Sequence, residues 1–296
     1  MALPSFNPDP APGSPPLSML DIQGEFGGSA PISLSEYYSA ASGIPASGTI
    51  SIRNFYGTSA RKTIDLYISD PTINYSVYGA AVSAGYVAGI SDVTVHVNPG
   101  VYVGSGSPYL YGMEVNSFSP GDKVTVINSG YIVGRGGDGG GDVFGSNPGN
   151  PGTPGGNAVY LSSPTTIYNY GTIGGGGGGG GGSTGAQTNK SGTFWGGGGG
   201  GGAGYSQGSG GYDSGSGAPG SPGTTLTGGA GGHGYDPYSL TGGAGGDLGV
   251  PGAAGGNNYG KYPSTGGAGG SAGYYIVDVS NLVTWGYTGD RRGLSG

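Results

Sequence analysis

The N-terminal part of the chain carries three short stretches with the same order of polar and hydrophobic positions. Residues 17–22, 32–37 and 50–55 each place a serine three positions ahead of Asp, Glu or Asn, and each continues into an aliphatic or aromatic residue. This spacing is that of a helix N-cap with a capping box. A unit this short is not stable alone and must pack on something else. The pattern predicts either a small helical subdomain or a docking module for a larger assembly.

Residues 62–133 have the pattern of an ordinary β-rich domain. Ile64, Leu66 and Ile68 alternate with polar residues, which predicts a half-buried strand. The small residues of 75–88 favour a helix. A β-rich run, an Asn-x-Gly turn and a second short run then occur together three times, at 93–104, 124–134 and 166–174. Such repetition predicts either stacked β rungs or an array of hairpins.

Unbroken glycine runs at 174–182 and 196–202 interrupt this pattern. The chain holds 77 Gly and 21 Pro in 296 residues, a share typical of disorder, but 23 Tyr and only 8% charged residues favour an ordered structure. In the polyproline II conformation every N–H and C=O is free to bond to neighbouring chains, and a side chain pointing into such a lattice would clash. We therefore predict a sandwich of packed, left-handed polyglycine II helices. The predicted helices are 134–141, 149–156, 174–182, 196–204, 217–223, 228–234, 242–246, 252–256 and 266–273.

The predicted fold class is mostly β and irregular, in four parts. A small N-terminal helical docking region (1–61) precedes a β-rich repeat base (62–133). The glycine-rich sandwich with its variable loops follows (134–273), and within it residues 157–173 return to the base. A C-terminal β segment (274–296) ends the sequence.

Composition and charge exclude several classes of function. The net charge of −7 argues against nucleic acid as a partner, because such binding depends on Lys and Arg. The chain has no cysteine, so it has neither disulfides nor a Cys-based zinc site. No apolar run is long enough to span a bilayer, and the first residues do not resemble a signal peptide.

The residues that could carry chemistry do not form a convincing catalytic or metal site. Residues 134–139 match G-x-G-x-x-G, but only glycine follows where a dinucleotide site needs a helix. His96 and His233 lie in unrelated settings. Asp138 and Asp142 either bind a cation or cap backbone N–H groups, and capping is favoured. We predict no enzymatic activity, no cofactor and no metal; cleavage of a surface polysaccharide would need paired carboxylates in a groove, and the loops have few acidic residues.

Four loops between the glycine runs, 183–195, 205–216, 235–241 and 257–265, carry side chains suited to binding. Tyr and Trp supply large contact areas at low entropic cost, although the same rings could simply cover the flanks of the predicted sandwich. If helix directions alternate simply, 183–195 and 205–216 lie at opposite ends. The predicted receptor-binding residues are Asn189, Lys190, Phe194, Trp195, Tyr205, Tyr212, Tyr235, Tyr238, Tyr259 and Tyr262.

The combination of β repeats and glycine runs resembles the receptor-recognising adhesin at the tail-fibre tip of T-even-like bacteriophages. The resemblance covers about residues 75–296 and rests on 128–137, on 166–182 and on the closing 283–285 and 289–291. It implies a polyglycine II sandwich whose distal loops bind a bacterial outer-membrane protein or surface glycan. Residues 21–38 are similar instead to the start of many phage virion proteins, and differ from the region by which T-even adhesins dock on a trimeric fibre.

The sequence therefore predicts a non-enzymatic phage adhesin in the tail of the virion that acts at the host cell surface. Residues 1–61 would attach it to other tail or fibre proteins, on or as part of a trimeric fibre. One alternative is a structural virion protein in which the sandwich is a rigid spacer or cap. A host-cell matrix or wall protein without a specific receptor is a further alternative.

Overall fold

The computed structural model describes residues 3, 16–41, 43–58, 60–143, 147–188, 192–194, 196–213, 217–234, 240–259 and 263–296. The chain divides into two compact units. The first comprises residues 1–65, 81–94 and 118–123, and the second comprises 66–80, 95–117 and 124–296. The described residues are mostly β-structure with few helices. None of these helices has the length and hydropathy of a membrane span.

The three capping boxes predicted in the first unit are confirmed. Helix α1 (Met19–Phe26) begins at Ser18, whose Oγ accepts the N–H of Asp21, while the Asp21 carboxylate accepts the N–H of Ser18. The 3₁₀ helices Leu34–Tyr37 and Ile52–Phe55 are closed by equivalent boxes. These reciprocal bonds satisfy N–H groups that a helix start leaves without partners.

The three turns of the first unit pack on one another. The residue after each capping side chain is buried, and these residues are Ile22, Tyr37 and Phe55. The rings of Phe26, Tyr37 and Phe55 form a nearly equilateral triangle, with centroid distances of 6.0, 5.8 and 5.9 Å. A shared aromatic centre therefore gives each short turn the tertiary packing that it needs.

Seventeen strands are present in the described residues. Before the first glycine run they are β1 (Lys62–Ile68), β2 (Thr72–Ile73), β3 (Tyr75–Ser76), β4 (Ser91–Val97), β5 (Tyr102–Gly104), β6 (Tyr111–Val115), β7 (Lys123–Asn128) and β8 (Tyr131–Val133), with helix α2 (Val77–Ser83) after β3. The later strands are β9 (Asn157–Leu161), β10 (Thr165–Asn169), β11 (Thr172–Gly174), β12 (Ala186–Thr188), β13 (Gly192–Phe194), β14 (Tyr274–Asp278), β15 (Val283–Tyr287), β16 (Asp290–Arg292) and β17 (Leu294–Ser295).

All strands except β12 and β13 stack as five rungs of a three-sided β-helix. The sheet orders are β1-β4-β7-β10-β15, β2-β5-β8-β11-β16 and β3-β6-β9-β14-β17. In the second and third sheets every neighbouring pair is parallel, as are β7–β10 and β10–β15 in the first. Of the two predicted arrangements of the repeat, stacked rungs are therefore observed and the hairpin array is wrong.

The second and third Asn-x-Gly turns form a buried ladder at the corner between the first and second sheets of the β-helix. Asn128 and Asn169 are paired in register and fully buried. The Asn128 amide donates to the Asn169 Oδ1 at 2.8 Å, and the Asn169 amide donates to the carbonyls of Thr288 and Asp290 in the last rung. Because a buried amide without partners is costly, this ladder explains the repeated asparagine.

An aromatic–cation contact covers the end of the hydrophobic interior at the last rung. Trp285 is in register with the buried Ile167, and Arg291 is in register with the buried Ile173. The Arg291 guanidinium lies 5.0 Å from the Trp285 ring and 5.5 Å from the Tyr275 ring. Terminal repeats of a stacked protein need such a polar outer face.

The glycine-rich residues leave the β-helix at one corner, between the second and third sheets. One excursion joins β8 to β9 and a longer one joins β11 to β14. The other rungs turn this corner through short connections, at residue 74, at 105–110 and at Gly293. These excursions lie within residues 134–156 and 174–273, and together we call them the slab. The slab therefore consists of two insertions into consecutive rungs of one solenoid.

Ten extended segments make up the described part of the two excursions, and they bond to one another through backbone groups. They are segment 1 (134–141), 2 (149–156), 3 (174–183), 4 (196–204), 5 (206–212), 6 (217–224), 7 (227–233), 8 (241–247), 9 (250–256) and 10 (264–273). Successive bonds between two segments recur every third residue. Segment 1, for example, donates from residues 134, 137 and 140 to the carbonyls of 174, 177 and 180 in segment 3.

Segments 3 and 4, which contain the two longest glycine runs, each have six neighbouring segments. In segment 3 every N–H from 176 to 183 donates to a neighbouring segment and every C=O from 176 to 182 accepts from one, while Gly175 bonds to Arg292 and Gly249 at the inner end. The two central segments are neighbours of each other and share segments 1 and 8, so a complete shell around them needs eight segments, the number present. The hydrogen bonds place the ten in three layers, ordered 2-1-5, 10-3-4-6 and 9-8-7.

The glycine content of a segment follows its number of neighbours. The central segments have glycine in nearly every position. Segments 1 and 8 have four neighbours and place a longer residue at every third position, such as Asp138 and Ala244. Segments 2 and 6 have three neighbours and read Gly-x-Pro, with their prolines exposed. Proline suits these positions because it has no N–H to satisfy and its φ fits an extended chain.

One prediction, about which loops share an end of the slab, was wrong because one segment was not counted. Residues 206–212, interpreted as part of a loop, form segment 5, which bonds to segments 1, 4 and 6. This segment is difficult to recognise in the sequence because its glycines are interrupted by Gln207 and Ser209, which are exposed at a corner of the array. With segment 5 counted, 183–195 and the end of 205–216 lie at the same end of the slab, not at opposite ends.

Replacing Asn169 by Ala should lower the free energy of unfolding by about 3 kcal/mol, because it removes one of the two acceptors of the Asn128 amide and the donor to two carbonyls of the last rung. Asn98→Ala is the matched control. Asn98 belongs to the same kind of turn, but its amide bonds only to the Ser69 hydroxyl near the surface, so a loss below about 1 kcal/mol is expected. Thermal or urea unfolding measures both, and equal losses would contradict the ladder's role.

Gly179→Ala should destabilise the protein by at least about 2 kcal/mol or prevent folding, because a Cβ there would overlap the Asp138 carbonyl. The control Ser271→Ala changes an exposed side chain in segment 10 and should cost less than about 0.5 kcal/mol. Melting temperatures of the two variants compare these costs. Tolerance of alanine at 179 would be inconsistent with the six-neighbour packing of segment 3.

Candidate functional site

Five connections between segments lie together at the end of the slab that points away from the β-strands. Segments 1, 3, 5, 7 and 9 run outward and the even-numbered segments return. The outer connections are therefore 142–148, 184–195, 213–216, 234–240 and 257–263, which we call the tip. The inner end is fixed by an apolar cluster of Val133, Ala203 and Leu248, against which Tyr205 packs.

Two of the tip connections are closed at their base by short β-bridges. His233 pairs with Thr241, and the Thr241 hydroxyl lies 3.1 Å from the His233 Nδ1. Asn258 and Ser264 exchange two backbone hydrogen bonds of 2.9 and 3.0 Å. These bridges fix the ends of the connections and leave the intervening residues free to vary in sequence.

The connection 184–195 has the most firmly held base. Ser183 and Thr184 are completely buried. The Ser183 Oγ accepts the N–H of Gly197 at 2.7 Å and lies 3.0 Å from the carbonyl of Leu240, to which it donates. Beyond this base, β12 and β13 pair as an antiparallel hairpin in which Ala186 is opposite Phe194.

Asp138 links three outer segments on one face of the slab. Its Oδ1 accepts the N–H and the hydroxyl of Ser209 in segment 5, both at 2.9 Å, and its N–H donates to the Thr153 hydroxyl in segment 2. Arg135 lies 3.0 Å from the same oxygen. Partial burial raises the pKa of Asp138, but the hydrogen bonds from Ser209 and Arg135 outweigh it and hold the pKa below its usual value. Asp138 therefore bonds to backbone, as predicted.

The structure brings some of the predicted receptor-binding residues to the tip and places one elsewhere. Tyr212, 62% exposed, ends segment 5 with its ring against Gly141. Tyr259 is 84% exposed, and its hydroxyl accepts from the Asn257 amide at 2.9 Å. Tyr205 lies at the inner end, 6.2 Å from the ring of Tyr102 and above Gly104.

The remaining predicted residues fall on positions whose side chains are not described. Phe194 belongs to β13, and its backbone alone is described. Residues outside the described ranges are Asn189, Lys190, Trp195, Tyr235, Tyr238 and Tyr262. By sequence, all of them belong to the tip connections 184–195, 234–240 and 257–263.

One tip connection, 142–148, is absent from the four loops predicted to bind. Its residues, Asp-Val-Phe-Gly-Ser-Asn-Pro, separate two glycine runs in the same way as the other loops do, so the signal was present. In the part of the chain that the structure describes, no group of three or more His, Asp or Glu residues is arranged to hold a metal ion.

The comparison with known families agrees with this architecture. Residues 63–296 match the family of the phage tail fibre adhesin Gp38. The chain belongs to this family. It is thus an adhesin of the bacteriophage tail fibre, a virion protein that acts in attachment at the surface of the host cell.

A solved structure supports the same fold. The adhesin is similar to a chain in the crystal structure of the gp37–gp38 adhesin tip complex of the bacteriophage S16 long tail fibre, with a TM-score of 0.55 and 24% identity over 83% of this chain and 87% of that chain. At this level of identity the likeness concerns the fold alone. No curated protein shows significant sequence similarity to the adhesin.

The stability contributed by Asp138 should depend on pH. Because its pKa is lowered on folding, the contribution is complete above the ordinary carboxyl pKa of about 3.9 and is lost as the pH falls through the folded value. The difference in melting temperature between wild type and Asp138→Asn should be largest near about pH 7 and shrink below about pH 4. Thermal unfolding across this range tests it, and a difference independent of pH would contradict the assignment.

Proposed function

We propose that the adhesin recognises a bacterial outer-membrane protein or surface glycan through the five connections of the tip. The observation that carries this proposal is their convergence at the end of the slab remote from the β-helix. All the predicted binding residues except Tyr205 and Tyr212 belong to these connections, and Tyr212 ends segment 5 directly before one of them. Tyr205 serves instead to pack the slab on the second sheet, and Phe144 of the overlooked connection takes its place in the set of candidate aromatic residues.

In this proposal the ten segments are left-handed polyglycine II helices that hold the tip at a fixed distance from the fibre. The three-residue recurrence of the inter-segment hydrogen bonds supports it, because this conformation has three residues per turn. Most bonds between the segments join backbone groups, so the tip can change in sequence without altering the support beneath it. The protein acts by contact and not by catalysis.

The first unit attaches the adhesin to other tail or fibre proteins through residues 1–61. Its three capping-box turns support this, because they repeat the same order of exposed and buried positions: the residue two positions after each cap serine is exposed, and the one four positions after is buried. Such threefold repetition fits a partner that presents three equivalent surfaces, as the end of a trimeric fibre does.

A tip-replaced variant carries Gly/Ser sequences of equal length in place of the tip residues between their closing positions, which are 143–148, 186–195, 213–216, 234–239 and 259–263. This variant should bind intact host cells more weakly than wild type by more than about 100-fold. The melting temperature should stay close to that of wild type, because the slab bonds lie outside these residues. Flow cytometry with labelled protein measures binding, on a strain chosen because wild type binds it.

The matched control is Tyr109→Ala, which removes a tyrosine that is 89% exposed on a corner of the β-helix and not at the tip. It should bind within about twofold of wild type. Full binding by a folded tip-replaced variant would place the receptor site elsewhere. If this variant does not fold, replacing the connections one at a time decides the question.

A further inference from the structure

We infer that the open end of the β-helix, at its last rung, is a second ligand site of the adhesin, and that it binds a saccharide unit carrying a carboxylate or a phosphate. The centre of this site is Arg291, beside the rings of Trp285 and Tyr275. The site consists of described residues of the β-helix, so it goes beyond the recognition proposed for the tip. It follows from the exposure of the last rung, the charge of Arg291 and the aromatic surface next to it.

The last rung presents an edge that no further strand covers. Strands β15, β16 and β17 each end the strand order of their sheet, so within the described chain they pair on one side only. Every residue of 284–292 is exposed except Trp285, which is half-buried. The N–H and C=O groups of a terminal edge are available for hydrogen bonds to another molecule. This end of the solenoid therefore combines polar backbone groups with an aromatic centre.

Arg291 brings a positive charge to this surface that the described residues do not neutralise. The residue is exposed, and none of the described carboxylates forms an ion pair with it. The neighbouring Arg292, by contrast, lies 2.9 Å from the Asp290 carboxylate. Among the described residues, the side chain of Arg291 makes one long hydrogen bond, of 3.4 Å from its Nη1 to the Tyr275 hydroxyl. Most of its N–H donors are therefore available to an anion.

The aromatic rings hold this charge in place before any ligand binds. The Arg291 guanidinium lies 5.0 Å from the centre of the Trp285 ring and 5.5 Å from that of Tyr275, which are distances of cation–π contacts. Strand pairing fixes the backbone beneath them, with Trp285 in register with Ile167 and Arg291 in register with Ile173. An arginine fixed in this way loses little entropy when it donates two parallel hydrogen bonds to a carboxylate or phosphate.

The surroundings of Arg291 favour a saccharide over a nucleic acid as the anionic ligand. The negative face of an aromatic ring attracts the C–H groups of a sugar, and the edge of the rung offers donors and acceptors to sugar hydroxyls. A nucleic acid needs several cations, whereas this chain has a net charge of −7 and places Asp290 next to Arg291. The site therefore suits single, widely spaced anionic groups, as in an acidic glycan.

Two protein ligands fit this end of the β-helix less well. An acidic peptide would add as a further strand, but the strands of the last rung are five, three and two residues long and belong to three sheets. A straight peptide could follow only one of them. A second copy stacked end to end would bring two Arg291 side chains together, and like charges across an interface oppose association.

The first test uses tryptophan fluorescence as a reporter at the site. The chain contains two tryptophans, so Trp195→Phe leaves Trp285 as the reporter. Titrations at low ionic strength compare glucuronate, glucose 6-phosphate, glucose and inorganic phosphate. We expect saturable binding of an anionic sugar in the millimolar range, and at least about tenfold weaker binding of glucose, which lacks the charge. Inorganic phosphate lacks the sugar ring and should bind at least about threefold more weakly than the anionic sugar. The tighter of the two anionic sugars identifies the preferred anion.

The second test removes the charge at the site. In the Trp195→Phe protein, Arg291→Gln should weaken binding of the anionic sugar by at least about tenfold, and Arg291→Lys by at least about threefold, because lysine keeps the charge but not the planar fork. The matched control is Arg292→Gln, which removes the same charge from an arginine of the same rung that is already paired. It should stay within about twofold of its parent. If Arg291→Gln does not fold, Arg291→Lys and the four titrations decide the question.

Three results would overturn the inference. They are equal binding of glucose and the anionic sugars, equal weakening by Arg291→Gln and Arg292→Gln, and no saturable binding of either anionic sugar up to about 100 mM. The tip-replaced variant, which also lacks Trp195, then locates the site. Unchanged sugar binding by this variant supports the β-helix end, and its loss would assign the sugar to the tip and overturn the inference. Binding to host cells tests the tip separately, so the two proposals can fail independently.

Discussion

The structure depends on satisfying backbone N–H and C=O groups without help from side chains. In segments 3 and 4 these groups bond sideways to six neighbours, and a Cβ at almost any position would overlap a neighbouring carbonyl. Glycine is usually costly because it loses the most conformational freedom on folding. Here that cost is offset by hydrogen bonds for every buried backbone group and by chains that approach more closely than any side chain would allow. The glycine runs are therefore the core of the slab and not linkers.

The β-helix fixes the register and the direction in which the glycine segments start, which the slab cannot fix by itself. A glycine chain has no side chains to set its register, but β8, β9, β11 and β14 are fixed in parallel pairs at the corner from which the excursions leave. The apolar cluster below Tyr205 holds this corner, and the buried asparagine ladder holds the preceding corner, between the first and second sheets. The β-strands thus define the positions and directions of the first outgoing chains, and the remaining segments assemble on them.

Much of this could be read from the sequence, for identifiable reasons. The capping boxes at Ser18, Ser33 and Ser51 were predictable because a cap is a local pattern. The Asn-x-Gly repeat predicted recurring strand units but left rungs and hairpins open, since parallel pairing is decided by contacts distant in sequence. Segment 5 was missed because a corner of the array needs few glycines. That one miscount placed two tip loops at opposite ends, and no pattern within the loops showed that the hairpin connects the two central segments.

The three-residue recurrence of the lattice has a consequence for how such a gene can change. Within segment 3, one extra glycine would shift every following residue by one position in the three-residue recurrence and redirect its bonds to the wrong neighbours. The two tip connections that are closed by β-bridges, 234–240 and 257–263, have no such constraint, because their ends are fixed separately. The most monotonous part of this sequence is therefore the part whose length is most strictly constrained by its hydrogen bonds.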